Sequence, residues 1–198
     1  MKLILASHNT GKLAEFQQLL GGHGIQVVPQ AALGIPDIEE TGLSFAENAL
    51  LKARHASQLG GMPALADDSG LCVDALGGAP GLYSARYAGS DGDAQANILK
   101  LLDALEQIPE DHRQAHFHCT LALLRHPADP APLLCEGRWH GRILHEPRGE
   151  DGFGYDPVFF DDASGCSAAE LSREEKAAVS HRGQAIRQLL TMLARHPL

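Results

Sequence analysis

Lys2-Leu3-Ile4-Leu5-Ala6-Ser7-His8-Asn9-Thr10-Gly11-Lys12 stands at the start of the chain, and its order decides how the rest is read. A short apolar run suited to a buried strand enters a polar loop, after which Leu13, Phe16, Leu19 and Leu20 recur near helical spacing. Strand, polar loop and helix in that order are the building unit of α/β folds. The loop also sets a hydroxyl, an amide and an ammonium beside the unpaired N–H groups of a helix N-terminus, where anions bind. It is not a P-loop, because Gly-x4-Gly-Lys-[Ser/Thr] is missing, and an Asn/Gly turn that only caps a helix would have the same letters.

Outward from this loop the elements alternate. Gly21-Gly22 stops the first helix, Ile25-Gln26-Val27-Val28 predicts a second strand, and Pro29 to Thr41 reads as a loop carrying Glu39 and Glu40. Ser44-x-x-Glu47 has the form of a capping box for a helix with Phe45, Ala49, Ala53 and Ala56 on its apolar face and Lys52 in its second half. Ala64-Leu65-Ala66 and Leu71 to Leu76 predict two strands separated by the polar insert Asp67-Asp68-Ser69-Gly70. A helix is expected over 93–105, strands over 115–124 and 132–146, a Gly-rich loop from Gly149 to Gly154 ahead of Val158-Phe159-Phe160, and a closing helix with Ile186, Leu189, Leu190 and Leu193 on one face. No repeat, low-complexity tract or linker divides the chain. Residues 1–198 are therefore expected to form one α/β domain with a mixed sheet.

Composition narrows the function. Of 198 residues 44% are hydrophobic and 21% charged, which places the chain among ordinary globular proteins long enough to fold without disulfides or a structural metal. No run approaches the roughly 18 apolar residues of a membrane span, and Met1 to Ala6 is too short for the apolar part of a secretory signal, so a cytoplasmic protein is expected. Cys72, Cys119, Cys135 and Cys166 form no Cys-x-x-Cys pair and read as reduced, buried side chains. With 16 Lys plus Arg against 25 Asp plus Glu, the net charge of −9 repels nucleic-acid polymers. A small phosphorylated ligand remains compatible, since lysines and a divalent cation can reverse the field locally.

The acidic residues are the more specific signal. Adjacent Asp67 and Asp68 at the end of a strand point to opposite faces, so one can face a cleft while the other supports the backbone. Hard oxygen ligands from separate segments suit Mg²⁺ shared with substrate phosphates, and Glu39 and Glu40 are the obvious companions. A turn at Asp68-Ser69 beside two solvated glutamates is the alternative. Phe153-Gly154-Tyr155-Asp156 could stack on a base and read its edge, or belong to the core. Lys176 precedes Ser180-His181-Arg182, where Ser180 can cap the last helix and leave two basic residues in its first turn, against the helix dipole, to serve an anion or a base. His116-x-His118 shares a strand face but lacks a third ligand at metal spacing, and no Gly-x-Ser-x-Gly elbow supports a serine hydrolase.

Taken together, Ser-x-Asn-x-Gly-Lys at 7–12, Glu-Glu-Thr-Gly at 39–42, Asp-Asp-Ser-Gly at 67–70, Gly-Gly-Ala-Pro-Gly at 77–81, Phe-Gly-Tyr-Asp at 153–156 and Ser-His-Arg at 180–182 closely resemble the inosine/xanthosine triphosphate pyrophosphatase family, in order and over nearly the whole chain. That resemblance implies Mg²⁺-dependent hydrolysis of dITP, ITP and XTP to the monophosphate and pyrophosphate, by a homodimer of elongated, two-lobed α/β subunits with a central cleft. It assigns Ser7, His8, Asn9, Thr10, Gly11 and Lys12 to the triphosphate, Glu39 and Asp68 to Mg²⁺, Asp68 also to activation of water, and Lys52 to neutralising phosphate charge. Ser69, Phe153, Gly154, Tyr155, Asp156, Lys176, His181 and Arg182 would contact the nucleotide, the aromatic loop and the last two near the base. The first loop departs from the family's common Thr-Gly-Asn by reading Ser7-His8-Asn9. A related pyrophosphatase for modified pyrimidine nucleotides, a non-catalytic nucleotide sensor and a Mg²⁺-dependent phosphomonoesterase are the competing readings.

Overall fold

A computed structural model describes residues 1–89 and 92–195. Its elements are β1 (Lys2–Ala6), α1 (Thr10–Gly21), β2 (Gln26–Pro29), α2 (Phe45–Gly60), β3 (Ala64–Val73), α3 (Ala94–Ala104), β4 (Gln114–Leu124), β5 (Leu133–Ile143), β6 (Phe159–Asp161), β7 (Cys166–Ser167), α4 (Arg173–Val179) and α5 (His181–Arg195), with short 3-10 turns between them. The strands form a seven-stranded mixed sheet in the order β2-β1-β3-β4-β5-β6-β7, flanked by helices, as the sequence predicts. β1 runs parallel to β2 and to β3, whereas β5, β6 and β7 pair antiparallel. Among the described residues no helix is long and apolar enough to cross a membrane.

The chain divides into two compact units, one of Met1–Asp68, Cys119–Gly137 and Arg182–Leu198, the other of Ser69–His118 and Arg138–His181. β3, β4 and β5 each continue from one unit into the other.

In the first unit, strand alternation builds two apolar layers. Leu3 and Leu5 of β1, Leu65 of β3 and Cys119, Leu121 and Leu123 of β4 face Phe16 and Leu20 of α1 and Ala185, Ile186 and Leu189 of α5. The intervening Ile4 and Ala6, Ala64 and Ala66, and Ala122 and Leu124 face Ala49, Ala53 and Ala56 of α2. Because β1 is covered on both sides, its sequence is continuously apolar and does not alternate with polar residues. The second unit packs Leu71 and Val73 of β3, Phe117 of β4, Trp139 and Ile143 of β5 and Phe159 of β6 against Ile98 and Leu101 of α3.

Four expectations change. β3 is one strand from Ala64 to Val73 and passes straight through Asp67-Asp68-Ser69-Gly70, since strand pairing overrides the weak β-propensity of those residues. β5 ends at Ile143, short of 146. α4, too brief for periodicity to reveal, is held by a capping box in which Ser172 Oγ accepts from Glu175 N at 3.2 Å and Glu175 Oε2 accepts from Ser172 N at 2.9 Å. All four cysteines are free, with Cys119 and Cys135 buried as expected but Cys72 and Cys166 only half-buried.

Gly70 fixes how β3 meets the 3-10 turn Gly81–Arg86. A Cβ there would lie 2.3 Å from the Gly81 carbonyl oxygen and 2.7 Å from Ser84 Oγ. That hydroxyl donates to the Gly81 carbonyl at 2.6 Å while accepting from Leu71 N at 2.9 Å. Gly70→Ala is therefore expected to destabilise the protein by about 2–3 kcal/mol, the usual cost of overpacking against backbone, and urea denaturation checks this.

Candidate active site

The alternation of β3 continues past its apolar residues. Asp67 follows Leu65 toward α1 and α5, and Asp68 follows Ala66 toward α2, so two adjacent carboxylates enter opposite layers of the first unit.

On the α2 side, Lys52 Nζ donates to Asp68 Oδ1 at 2.6 Å and to Glu40 Oε1 at 2.7 Å. Burial alone would lower the pKa of Lys52, but Asp68 and Glu40 outweigh it and hold the ammonium above its ordinary value. Burial pushes the Asp68 carboxyl up against the pull of Lys52, and the negative charge of Glu40 adds to the rise. Glu39 is exposed one residue away, so Glu40 is the glutamate that shares Lys52 with Asp68. The segment carrying both glutamates is tied down at its end: Gly42 N donates to Asn48 Oδ1 at 2.8 Å and Leu43 N to Glu47 Oε2 at 2.8 Å, both acceptors lying in α2.

On the other side, Asp67 is met by side-chain donors. It accepts from Lys12 Nζ, from Arg182 Nε at 2.9 Å and from Cys119 Sγ at 3.1 Å, while Arg182 Nη1 donates to Glu15 of α1. Burial would raise the Asp67 carboxyl, yet the Arg182 guanidinium and the Lys12 ammonium outweigh it and hold it well below the usual carboxylate range. Asp67 and Glu15 in turn keep Arg182 charged in spite of its burial. Burial and the Asp67 charge push the Cys119 thiol well above its ordinary value, so it remains an S–H donor.

The first loop caps α1 as the sequence suggests. Asn9 Oδ1 accepts from Lys12 N at 2.9 Å, Asn9 N donates to Ser7 Oγ at 3.2 Å, and Thr10 and Gly11 begin the helix. His8 turns away from the helix: its Nδ1 lies 2.6 Å from Asp37 Oδ1 and 2.8 Å from the amide nitrogen of Gln30.

The second unit holds the remaining candidates. Asp156 Oδ2 accepts from Phe153 N at 2.7 Å and from Lys176 Nζ at 2.6 Å, and Lys176 Nζ stands 4.7 Å from the centre of the Phe153 ring. This closes the aromatic loop around one buried ion pair, with Gly154 in the left-handed conformation that lets the chain turn there. Tyr155 belongs to the core, its hydroxyl donating to the Ser84 carbonyl at 2.9 Å. Ser69, half-buried, opens the part of β3 that lies in this unit. His181 stacks on Phe117 at 4.9 Å and 15° and near Trp139 at 6.4 Å and 16°.

Sequence reading left several of these residues without a role. Glu15 lies one helical turn beyond Lys12, and Cys119, Phe117 and Trp139 sit at alternating strand positions that mark a buried face but not what that face meets. Asp37 and Gln30 carried no signal, because the histidine they hold is 29 residues away from Asp37.

A profile of the Ham1 family matches residues 3–192. The chain belongs to the Ham1 family. Among Ham1-like relatives, a dITP/XTP pyrophosphatase of Shigella flexneri is 58% identical over 192 residues, covering 97% of this chain and 98% of that protein. One of the same description from Escherichia coli K12 is 56% identical at the same coverage. A HAM1 protein from Coxiella burnetii superposes with a TM-score of 0.90 at 52% identity, covering 98% of this chain and 99% of that one. A nucleoside-triphosphatase / dITP/XTP pyrophosphatase from Mycobacterium abscessus does so with a TM-score of 0.75 at 44% identity over the full length of both.

Asp67 supplies a test of the buried network. A carboxyl depressed in the folded state stabilises above its unfolded pKa, near the ordinary 3.8, and loses that contribution as pH falls through the lower folded value. Asp67→Ala is expected to cost about 3–5 kcal/mol at pH 7, because the buried Arg182 guanidinium would lose a buried carboxylate partner. The difference from the parent protein should narrow below about pH 4, read from urea midpoints at both pH values.

Proposed function

We propose that the protein hydrolyses deaminated purine nucleoside triphosphates, dITP, ITP and XTP, to the nucleoside monophosphate and pyrophosphate. The observation that carries this reading is Lys52 held between Asp68 and Glu40 in a member of a family whose relatives are described as dITP/XTP pyrophosphatases. The acidic pair fits a divalent cation of the Mg²⁺ type, since hard carboxylate oxygens approach one another here across a single ammonium. In this reading Asp68 and Glu40 hold the metal, and Glu39 flanks it. Among the described residues no group of three His, Cys, Asp or Glu side chains could hold a metal ion, which accords with coordination completed by phosphate oxygens and water. When bound, Mg²⁺ would neutralise phosphate charge and acidify a coordinated water.

The chain's own residues supply the rest. The N-terminus of α1, with Ser7, Asn9, Thr10, Gly11 and Lys12, offers N–H, hydroxyl and ammonium donors to the triphosphate. Lys12 is oriented by Asp67, and Lys52 would exchange part of its carboxylate contact for the charge that develops on departing pyrophosphate. Asp68, its carboxyl raised by burial, is suited to take a proton from the attacking water, which must approach the α-phosphorus in line with the leaving oxygen.

By the family resemblance, the base falls to Phe153 to Asp156, Lys176, His181 and Arg182. Phe153 gives a stacking face whose loop Asp156 and Lys176 secure, and Ser69 and His181 line the nucleoside. Arg182, its plane fixed by Asp67 and Glu15, would donate toward the 6-oxo group that hypoxanthine and xanthine carry where adenine has an amine. In this reading residues 1–198 make one nucleoside triphosphate pyrophosphatase domain. A homodimeric, cytoplasmic enzyme completes the reading by family resemblance.

Purified protein with Mg²⁺ and ITP, XTP, GTP, ATP or dTTP, with pyrophosphate and orthophosphate assayed separately, tests it. Pyrophosphate from ITP and XTP with GTP and ATP spared is expected. Orthophosphate as first product would indicate a phosphomonoesterase, preference for dTTP the pyrimidine relative, and nucleotide binding without turnover a sensor. Asp68→Asn should lower kcat by about 100- to 10,000-fold, the range for loss of a positioned base, while nucleotide still binds.

A further inference from the structure

The loop from Ile35 to Leu43, which carries both glutamates, is pinned to α2 at each end: His55 Nε2 donates to the Pro36 carbonyl at 2.9 Å, and the amides of Gly42 and Leu43 donate to Asn48 and Glu47. Between these ends it meets the phosphate loop through one triangle of polar atoms. His8 Nδ1 lies 2.6 Å from Asp37 Oδ1, Gln30 Nε2 lies 2.6 Å from the same oxygen, and the two nitrogens are 2.8 Å apart.

The carboxylate fixes the sense of the two shortest contacts. If Nδ1 of His8 were bare, its lone pair would face a carboxylate oxygen at 2.6 Å, a repulsive contact. With the proton on Nδ1, His8 donates to Asp37 Oδ1, as Gln30 Nε2 does. Gln30 is only 3% exposed, so it is the fixed corner, and Asp37, with 70% of its side chain exposed, is drawn to it from solvent. The sequence departure at His8 thus has a structural counterpart: a side chain that reaches 29 residues along the chain to hold the acidic loop.

We propose that His8, Gln30 and Asp37 form a clasp that positions Glu40, three residues after Asp37, opposite Asp68, so that the metal-binding carboxylates are aligned before nucleotide arrives. His8 and Asp37 are positioning residues: they act through Glu40. This rests on the functional reading above only in taking Glu40 and Asp68 as the metal ligands. The energetic logic is preorganisation, in which ordering the loop during folding removes that cost from metal and substrate binding.

Asp37→Ala is the test variant, because the residue is exposed and its loss leaves the phosphate loop's own residues intact. Hydrogen exchange of the backbone amides of residues 38–41 is followed in the nucleotide-free protein, and the Mg²⁺ concentration for half-maximal pyrophosphate release is measured beside kcat at saturating Mg²⁺. Exchange is expected to quicken, and half-saturating Mg²⁺ to rise, each by about three- to tenfold with kcat little changed, the scale of one solvent-exposed hydrogen bond. Asp37→Asn, which keeps an acceptor oxygen, should recover most of both effects. Unchanged exchange would overturn the clasp itself, and faster exchange with an unmoved Mg²⁺ dependence would overturn its positioning role. A protein without Mg²⁺-dependent turnover would defeat the functional reading, with exchange still deciding whether the clasp exists.

Discussion

A buried carboxylate needs a counter-charge or a full set of hydrogen-bond donors, and two adjacent buried carboxylates on one strand need two sets in different places. β3 answers this with the two-residue period of its backbone. Asp67 enters the layer of α1 and α5, where Lys12 and Arg182 meet it, and Asp68 enters the layer of α2, where Lys52 does. The sheet lies between the two carboxylates, so each can be compensated independently. Much else in the first unit follows: α1 must begin where Lys12 reaches Asp67, α5 must begin with Arg182 in its first turn, and α2 must bring Lys52 to the middle of β3.

The two compensations differ in kind. Around Asp67 the charges are buried together, with Arg182 bound to both Asp67 and Glu15 and placed 5.9 Å from the centre of the Phe16 ring, and with Cys119 also donating to the carboxylate. Such a network specifies one arrangement of side chains, since removing any member strands another buried charge. Around Asp68 the arrangement differs: Asp68 and Glu40 share Lys52, and the Asp68 carboxyl is raised by burial instead of lowered.

The second unit applies the same economy to an aromatic loop. A single ion pair, Asp156 with Lys176, anchors the loop through the Phe153 amide and places an ammonium against the Phe153 ring. Tyr155, which the sequence grouped with Phe153, is spent on packing and on the Ser84 carbonyl. His181 joins the ring cluster of Phe117, Trp139 and Phe159 at the end of its unit, one residue before Arg182 joins the charge network of the other.

Much of this was written in the sequence. Apolar runs and helical spacing located β1, α1, α2, β4 and α5, the Ser44-x-x-Glu47 box marked the start of α2, and adjacent aspartates on a strand implied opposite faces. Those signals are local, because periodicity and capping are fixed by neighbouring residues. Tertiary structure decided which partner each charge meets: that Glu40 and not Glu39 shares Lys52 with Asp68, that Asp67 gathers side chains from α1, β4 and α5, and that His8 holds Asp37. Such pairings join residues separated by 12 to 167 positions. No local pattern records them, since electrostatic compensation depends on distance in space and on burial, and both exist only once the chain has folded.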